Sequence, residues 1–179
     1  MLRIKMLEEI NLSRKIKKQE LLTILKKECS GIDIYDLIAY YVHLCHEGRY
    51  LPENYFKDYL KAYVMGFIIR IKEIKDNSEF YDGYVDREEL KKALNLLNRQ
   101  EDNVKKIRRY PRSFKIYALI SIYTTFILDE PIHMVGTLFP GGFRVKYEDN
   151  IYYCPVKDGQ KNNPHAVCAF CIALQDEAV

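Results

Sequence analysis

A chain of 179 residues with a net charge of +3 carries no overall field that would point to a nucleic acid partner. Apolar residues make up 48% and charged residues 30%, the balance of an ordinary globular chain that buries its own core and needs no disulfide staples. Charges at Arg3, Lys5, Glu8 and Glu9 interrupt any signal-peptide core, and the uncharged run 116–128 falls short of the roughly 20 residues that span a bilayer. The expected location is therefore the cytoplasm, with no membrane contact, where five cysteines read as reduced thiols, metal ligands or reactive groups.

The first predicted element is a helix over 14–29, with Ile16, Leu21, Leu22, Leu25 and Cys29 at apolar positions, Ser13 as N-cap and Gly31 just beyond the end. A second covers 33–47. Ile34, Leu37, Ile38, Tyr41, Leu44 and Cys45 recur at helical spacing, Asp33 caps it and Gly48 ends it. Pro52 opens a long third helix near 53–75, whose Phe56, Tyr59, Leu60, Tyr63, Val64, Phe67, Ile68 and Ile71 step by three and four. Residues 76–85 read as a loop. Asp86 and Glu89 form a capping-box pattern ahead of a helix over 86–100. The last long helix, 113–129, starts at Ser113 and stops before Pro131. It is apolar nearly all round, so it belongs at the centre of the bundle.

Beyond Pro131 the pattern changes. Phe143, Val145 and Tyr147 alternate with Arg144 and Lys146 as a strand does, 148–150 are turn formers, and 151–154 read as a second strand, which together make a hairpin. Residues 157–165 read as a loop and 166–175 as a short helix. The fold class is mainly α: a multi-helix bundle over 1–130, and a tail over 131–179 with a small β-hairpin and a cysteine-rich metal-binding segment, packed on the bundle as one unit.

The tail carries the chemistry. Cys154 is followed by thirteen intervening residues and then Cys168-x2-Cys171. A Cys-x2-Cys pair sets two sulfurs on one side of a tight turn, and a hairpin that delivers a third sulfur builds most of a tetrahedral zinc site. His133 or His165 would complete it, tying the tail to the bundle, with Lys157, Gln160 and Asn163 at the rim. The same three cysteines also fit an iron–sulfur cluster with one open iron, or a redox dithiol at Cys168/Cys171. Free cysteine is often a small buried hydrophobe, and Cys29 and Cys45, on apolar helix positions, are assigned to packing.

Two further groups read more plainly. His43 and His46 are three apart on a helix and read as ordinary helix histidines. The segment 105–115 has six basic residues in eleven, and Lys105, Lys106, Arg108, Arg109 and Arg112 with Tyr110 and Phe114 could contact RNA phosphates and bases. The low net charge favours a solvated loop instead. Templates for catalysis are absent: the chain holds no Gly-rich phosphate loop, GxSxG or HExxH. The glycines of GTLFPGG (136–142) imply a fixed turn without the strand-to-helix setting of a phosphate site.

The stretch HMVGTLFPGG (133–142), with YYCPVKDGQKNNPHAVCAFCIA (152–173), resembles an uncharacterised protein family of methanogenic archaea. The family pattern falls on His133, Gly136, Thr137, Phe139, Pro140, Gly141, Gly142, Cys154, Pro155, Lys157, Gln160, Asn163, Pro164, Cys168 and Cys171, and omits His165. The resemblance is specific over about forty residues of the tail and weak over the helices. It implies an anaerobic cytoplasm and no particular activity, and it tilts the fourth ligand toward His133. The functional expectation is a structural zinc site in a protein that acts through a binding surface, on a protein or small-molecule partner. The alternatives are a redox enzyme built on Cys154, Cys168 and Cys171, and an RNA-binding protein.

Overall fold

A computed structural model describes residues 10–106 and 111–179, and about half of the chain is helical. A two-residue strand β1 (Ile16–Lys17) leads into α1 (Lys18–Ser30), followed by α2 (Ile34–Gly48). Next come α3 (Glu53–Tyr59), a π-helical stretch Leu60–Met65 and α4 (Gly66–Asp76). Strand β2 (Tyr84–Val85) precedes α5 (Arg87–Lys106), and α6 (Pro111–Phe126) closes the helical part. The tail holds β3 (Lys146–Glu148), β4 (Ile151–Cys154), the single turn α7 (Lys157–Gln160) and β5 (Leu174–Gln175).

Local chemistry explains most boundaries. Asp33 caps α2 with a reciprocal box: its carboxylate accepts the Asp36 N–H at 2.9 Å, and the Asp36 carboxylate accepts the Asp33 N–H at 3.2 Å. At α5 the Glu89 N–H donates to Asp86 at 3.0 Å, while the Glu89 carboxylate turns outward to Lys92. Helix α6 begins at Pro111, where a missing N–H costs nothing. It ends at Phe126, after which Asp129 adopts φ +52° and the Glu130 N–H closes back on the Thr124 carbonyl at 2.9 Å. The stop is thus a left-handed C-terminal turn placed ahead of Pro131.

Three expectations are corrected. The first helix starts at Lys18, not near Ser13, because Ile16 and Lys17 pair antiparallel with Val85 and Tyr84 across the segment expected as a loop. The helix near 53–75 is interrupted by the π-helical stretch, where one residue per turn more is accommodated than the 3.6 spacing allows. Residues 166–175 are not helical. They form turns and then β5, because β4 has an open edge that the returning chain satisfies by parallel pairing, Tyr153 with Leu174 and Cys154 with Gln175.

Helix α6 is the hub, as its all-round apolar surface predicts. Ile116, Ala118, Leu119, Ile120, Ile122 and Tyr123 are fully buried, and the helix touches α1, α2, α4 and α5. Each neighbour turns one face inward: Leu21, Leu22, Leu25 and Cys29 from α1, Phe67, Ile71 and Ile74 from α4, and Leu90, Ala93, Leu94 and Leu97 from α5. Val167 and Phe170 of the tail belong to this same core, and Phe170 stacks on Phe126 with ring centroids 6.2 Å apart. Helix α2 is mounted differently from the expected face. Leu37, Tyr40 and Leu44 go in, whereas Ile34, Ile38 and Tyr41 stay exposed and Cys45 is half-buried. Cys29 is fully buried, and burial raises its thiol pKa to about 12, the state of a packing cysteine.

Candidate metal centre

The hairpin is set by its turn. Asp149 and Asn150 take φ +50° and +63°, the left-handed pair that a two-residue connection between twisted strands demands. This pairs Lys146 with Tyr153, Tyr147 with Tyr152 and Glu148 with Ile151. Upstream, Phe139 and Phe143 exchange backbone contact around Pro140-Gly141-Gly142, with the Phe139 N–H on the Phe143 carbonyl at 2.7 Å. Gly141 sits at φ +91°, and a Cβ there would lie 2.8 Å from the Phe143 ring, so both backbone and space call for glycine.

The chain leaves β4 at Cys154, makes a loop through Pro164, and returns beside β4 as β5. Parallel pairing of Cys154 with Gln175 therefore brings the end of the loop back to its start. Cys171, three residues before β5, lands beside Cys154. The three sulfurs are near enough that Cys168 is influenced by both Cys171 and Cys154, and Cys154 by Cys171. Cys154 packs with Phe139, Val145 and Ala173 in a small second core, and Cys171 packs against both this core and the helical one.

Lys157 organises the turn. Its Nζ donates to the Cys168 carbonyl at 2.5 Å and to the Cys171 carbonyl at 2.6 Å, so one ammonium holds both ends of the Cys-x2-Cys pair. The Val156 and Lys157 backbone N–H groups are directed at the Cys154 sulfur, an arrangement that favours a thiolate. Burial outweighs them and pushes the Cys154 thiol up from its ordinary value; it pushes Cys168 up to about 11. Tyr117 of α6 stands on the other side. Burial raises its phenol pKa, its oxygen accepts the Val167 N–H, and Cys168 and Cys171 lie within its electrostatic reach. Nothing in the spacing of residues 111–126 singles out Tyr117.

His133 lies one ring away from the cysteines. It stacks on Phe67 (6.2 Å between centroids, 25° between planes) and meets Phe139 edge-on at 5.4 Å, and Phe139 packs with Cys154. Burial lowers its pKa to about 4, so the imidazole is neutral at pH 7. His165 is exposed, and its N–H donates to the Asn163 side chain at 2.9 Å. Gln160 accepts from Asn163 at 2.7 Å, so two of the expected rim residues bond each other. Gln100 of α5, absent from the sequence reading, clamps this turn by donating to the Pro164 and Ala166 carbonyls at 2.9 and 3.1 Å. Among the described residues, no group of three or more His, Cys, Asp or Glu side chains is arranged to hold a metal ion. The three thiols are neighbours without converging on one point.

His43 is half-buried on α2, and the exposed His46 contacts Arg49. Arg108 and Arg109, and the side chains of Lys105, Lys106 and Arg112, lie outside the described residues. Among the described residues no helix is long and apolar enough to cross a membrane.

Residues 17–176 match a family described as "Uncharacterized protein conserved in archaea (DUF2115)". The chain belongs to this archaeal family. A UPF0305 protein of Methanothermobacter thermautotrophicus is 42% identical over 163 residues, covering 90% of this chain and 98% of the relative. Another, from Methanococcus maripaludis, is 35% identical over 157 residues (86% and 94% of the two chains), and one from Methanocaldococcus jannaschii is 31% identical over 164 residues (88% and 95%). These relatives come from methanogens, as the tail pattern implied. No solved structure matches the chain.

Proposed function

We propose that Cys154, Cys168 and Cys171 take up a thiophilic metal, zinc in the simplest case, and that this site stabilises the tail of a protein acting through a binding surface. The observation that carries the reading is the support given to thiolates. Two N–H groups are directed at the Cys154 sulfur, and one ammonium, Lys157, is anchored across the Cys168 and Cys171 carbonyls. A metal displaces the thiol protons that burial otherwise retains, and rotation about the Cα–Cβ bonds turns the three sulfurs to a common centre. The fourth ligand in this reading is His133, which is neutral and needs to move past Phe139, with the exposed His165 as the alternative.

Metal analysis of anaerobically purified protein tests it. One zinc per chain in colourless protein, lost in Cys168→Ser with a lower melting temperature, is the expected result. A brown protein containing iron and sulfide moves the assignment to the iron–sulfur alternative built on the same cysteines. Absence of zinc and iron at any stoichiometry, with Cys168→Ser as stable as the parent, removes the metal reading. His133→Ala against His165→Ala then identifies the fourth ligand by which variant lowers zinc affinity.

A further inference from the structure

Helix α2 is apolar on two opposite faces. Its inner face, Leu37, Tyr40 and Leu44, packs on the helical core. On the other side Ile34 (61% exposed), Tyr35 (77%), Ile38 (52%), Tyr41 (40%) and Val42 (58%) stand open. At about 100° per residue these positions form one continuous arc roughly 120° wide, with Ile38 at its centre. From Leu37 to Cys45 the helix carries no carboxylate, Lys or Arg. Helix α5 shows what a solvated face of this protein looks like, since it exposes Lys91, Lys92, Asn95, Asn98 and Arg99. A helix that is apolar nearly all round is ordinarily buried all round, as α6 is.

Area and charge identify what fits this face. The five side chains leave about 550 Å² open, near the top of the range for the largest patch on a monomer. Two such patches laid together bury about 1,100 Å², which clears the roughly 1,000 Å² that a specific pair of chains needs. Tyrosines and no ionised group at the centre is also the make-up of an interface core. The ends of the helix fix the orientation. Exposed Asp33 stands at the N-terminal end, and His43, His46 and Arg49 stand at the C-terminal end, with His46 and Arg49 in contact. Antiparallel packing centred on Ile38 sets Ile34 level with Val42 of a second copy, Tyr35 level with its Tyr41, and Asp33 level with its His43. A parallel pair would instead set Asp33 against Asp33. A lipid surface is a poorer match, because residues 28–48 contain no Lys or Arg to meet its phosphates.

We propose that α2 is a dimer interface: two copies of this chain pack their α2 helices antiparallel through Ile34, Tyr35, Ile38, Tyr41 and Val42, about a twofold axis beside Ile38. The contact is isologous, so one self-complementary patch serves both copies. It shares no residue with the thiol cluster and stands apart from the metal reading.

Sedimentation equilibrium of the full chain between about 1 and 200 μM should show monomer and dimer exchanging with a micromolar Kd. Ile38→Glu brings two carboxylates together beside the axis and should weaken the dimer at least about 100-fold, with the melting temperature of the dilute, monomeric protein unchanged. Ile69→Glu, at an equally exposed isoleucine of α4, should leave the dimer intact. Ile38→Lys should dissociate the dimer as Ile38→Glu does. An equimolar mixture of the two variants should pair again, since opposite charges meet only where residue 38 faces residue 38. Pairing should persist in metal-free Cys168→Ser protein, which separates this inference from the metal reading. A parent that stays monomeric at about 200 μM, a dimer indifferent to Ile38→Glu, or a mixture that fails to pair overturns the proposal. So does a monomeric parent that floats with phosphatidylglycerol vesicles and loses that binding in Ile38→Glu, which would assign the face to a lipid surface.

Discussion

Single residues in this protein are tuned mainly by burial. His133, held between Phe67 and Phe139, has its pKa lowered from 6.5 to about 4, so the folded protein binds fewer protons than the unfolded chain between those values. Its contribution to stability is complete above pH 6.5 and is lost as pH falls toward 4. The shift corresponds to roughly 3 kcal/mol. Urea unfolding of metal-free protein should therefore show a steeper loss of stability between pH 6.5 and 4 in the parent than in His133→Gln, the two curves differing by about 3 kcal/mol at the acid end. Parallel curves would mean that the ring is well solvated. The cysteines divide by the same physics. Cys29 is sealed in the helical core with a pKa of about 12, whereas Cys154 is buried with backbone N–H groups aimed at its sulfur. Burial alone makes packing material, and oriented donors beside a buried sulfur are what the proposed metal site rests on.

Elements follow local rules wherever a side chain can satisfy the backbone, and depart from them where another segment does so. The Asp33–Asp36 box starts α2 without help from the rest of the fold. Asp33→Ala should cost about 1 kcal/mol, measured as a shift of the denaturant midpoint with an unchanged slope. Asp33→Asn should cost much less, because Asn also caps well. The start of α1 is different. Lys17, its N-cap, supplies no side-chain bond, and the chain is held there by pairing with Tyr84 and Val85. The π-helical stretch Leu60–Met65 joins α3 to α4, so one apolar stripe serves two helical segments of different phase.

The molecule as a whole is knit together by its tail. Phe170 and Val167 sit in the same core as Leu97 and Tyr123, and Phe170 stacks on Phe126 at the end of the central helix. Phe170→Ala should lower stability by about 3–5 kcal/mol in equilibrium unfolding, whereas Phe143→Ala, at a 41% exposed ring in the same tail, should cost under about 1 kcal/mol. A small effect at Phe170 would show that the tail folds and unfolds apart from the helices. Polar ties add to this coupling. Lys18 in α1 reaches Asp129, Arg70 in α4 reaches Glu130, and Gln100 in α5 holds the Pro164–Ala166 turn. Val167 and Phe170, well beyond the change in residue pattern at 130, pack within the helical core.

What was legible in the chain itself was everything that depends on periodicity or on one residue's special geometry. The helical spacing predicted five helices in order, one of which is divided into α3, the π-helical stretch and α4; the all-round apolar run marked α6 as central, and Asp149-Asn150 made the hairpin turn. The tail pattern also pointed to the right archaeal family. Three things were decided only by the tertiary structure. Strand β5 exists because β4 has a free edge, and no local propensity in 166–175 announces it. The face that α2 buries depends on where α6 lies, since Ile34, Ile38 and Tyr41 are as apolar as the residues that went in. The surroundings of the cysteines were hidden for the same reason. Cys154 and Cys171 meet through parallel pairing across an intervening loop, and Lys157 and Tyr117 join them through carbonyls and burial. Spacing in a sequence shows which groups are chemically able to meet, and non-local hydrogen bonds and packing determine which of them do.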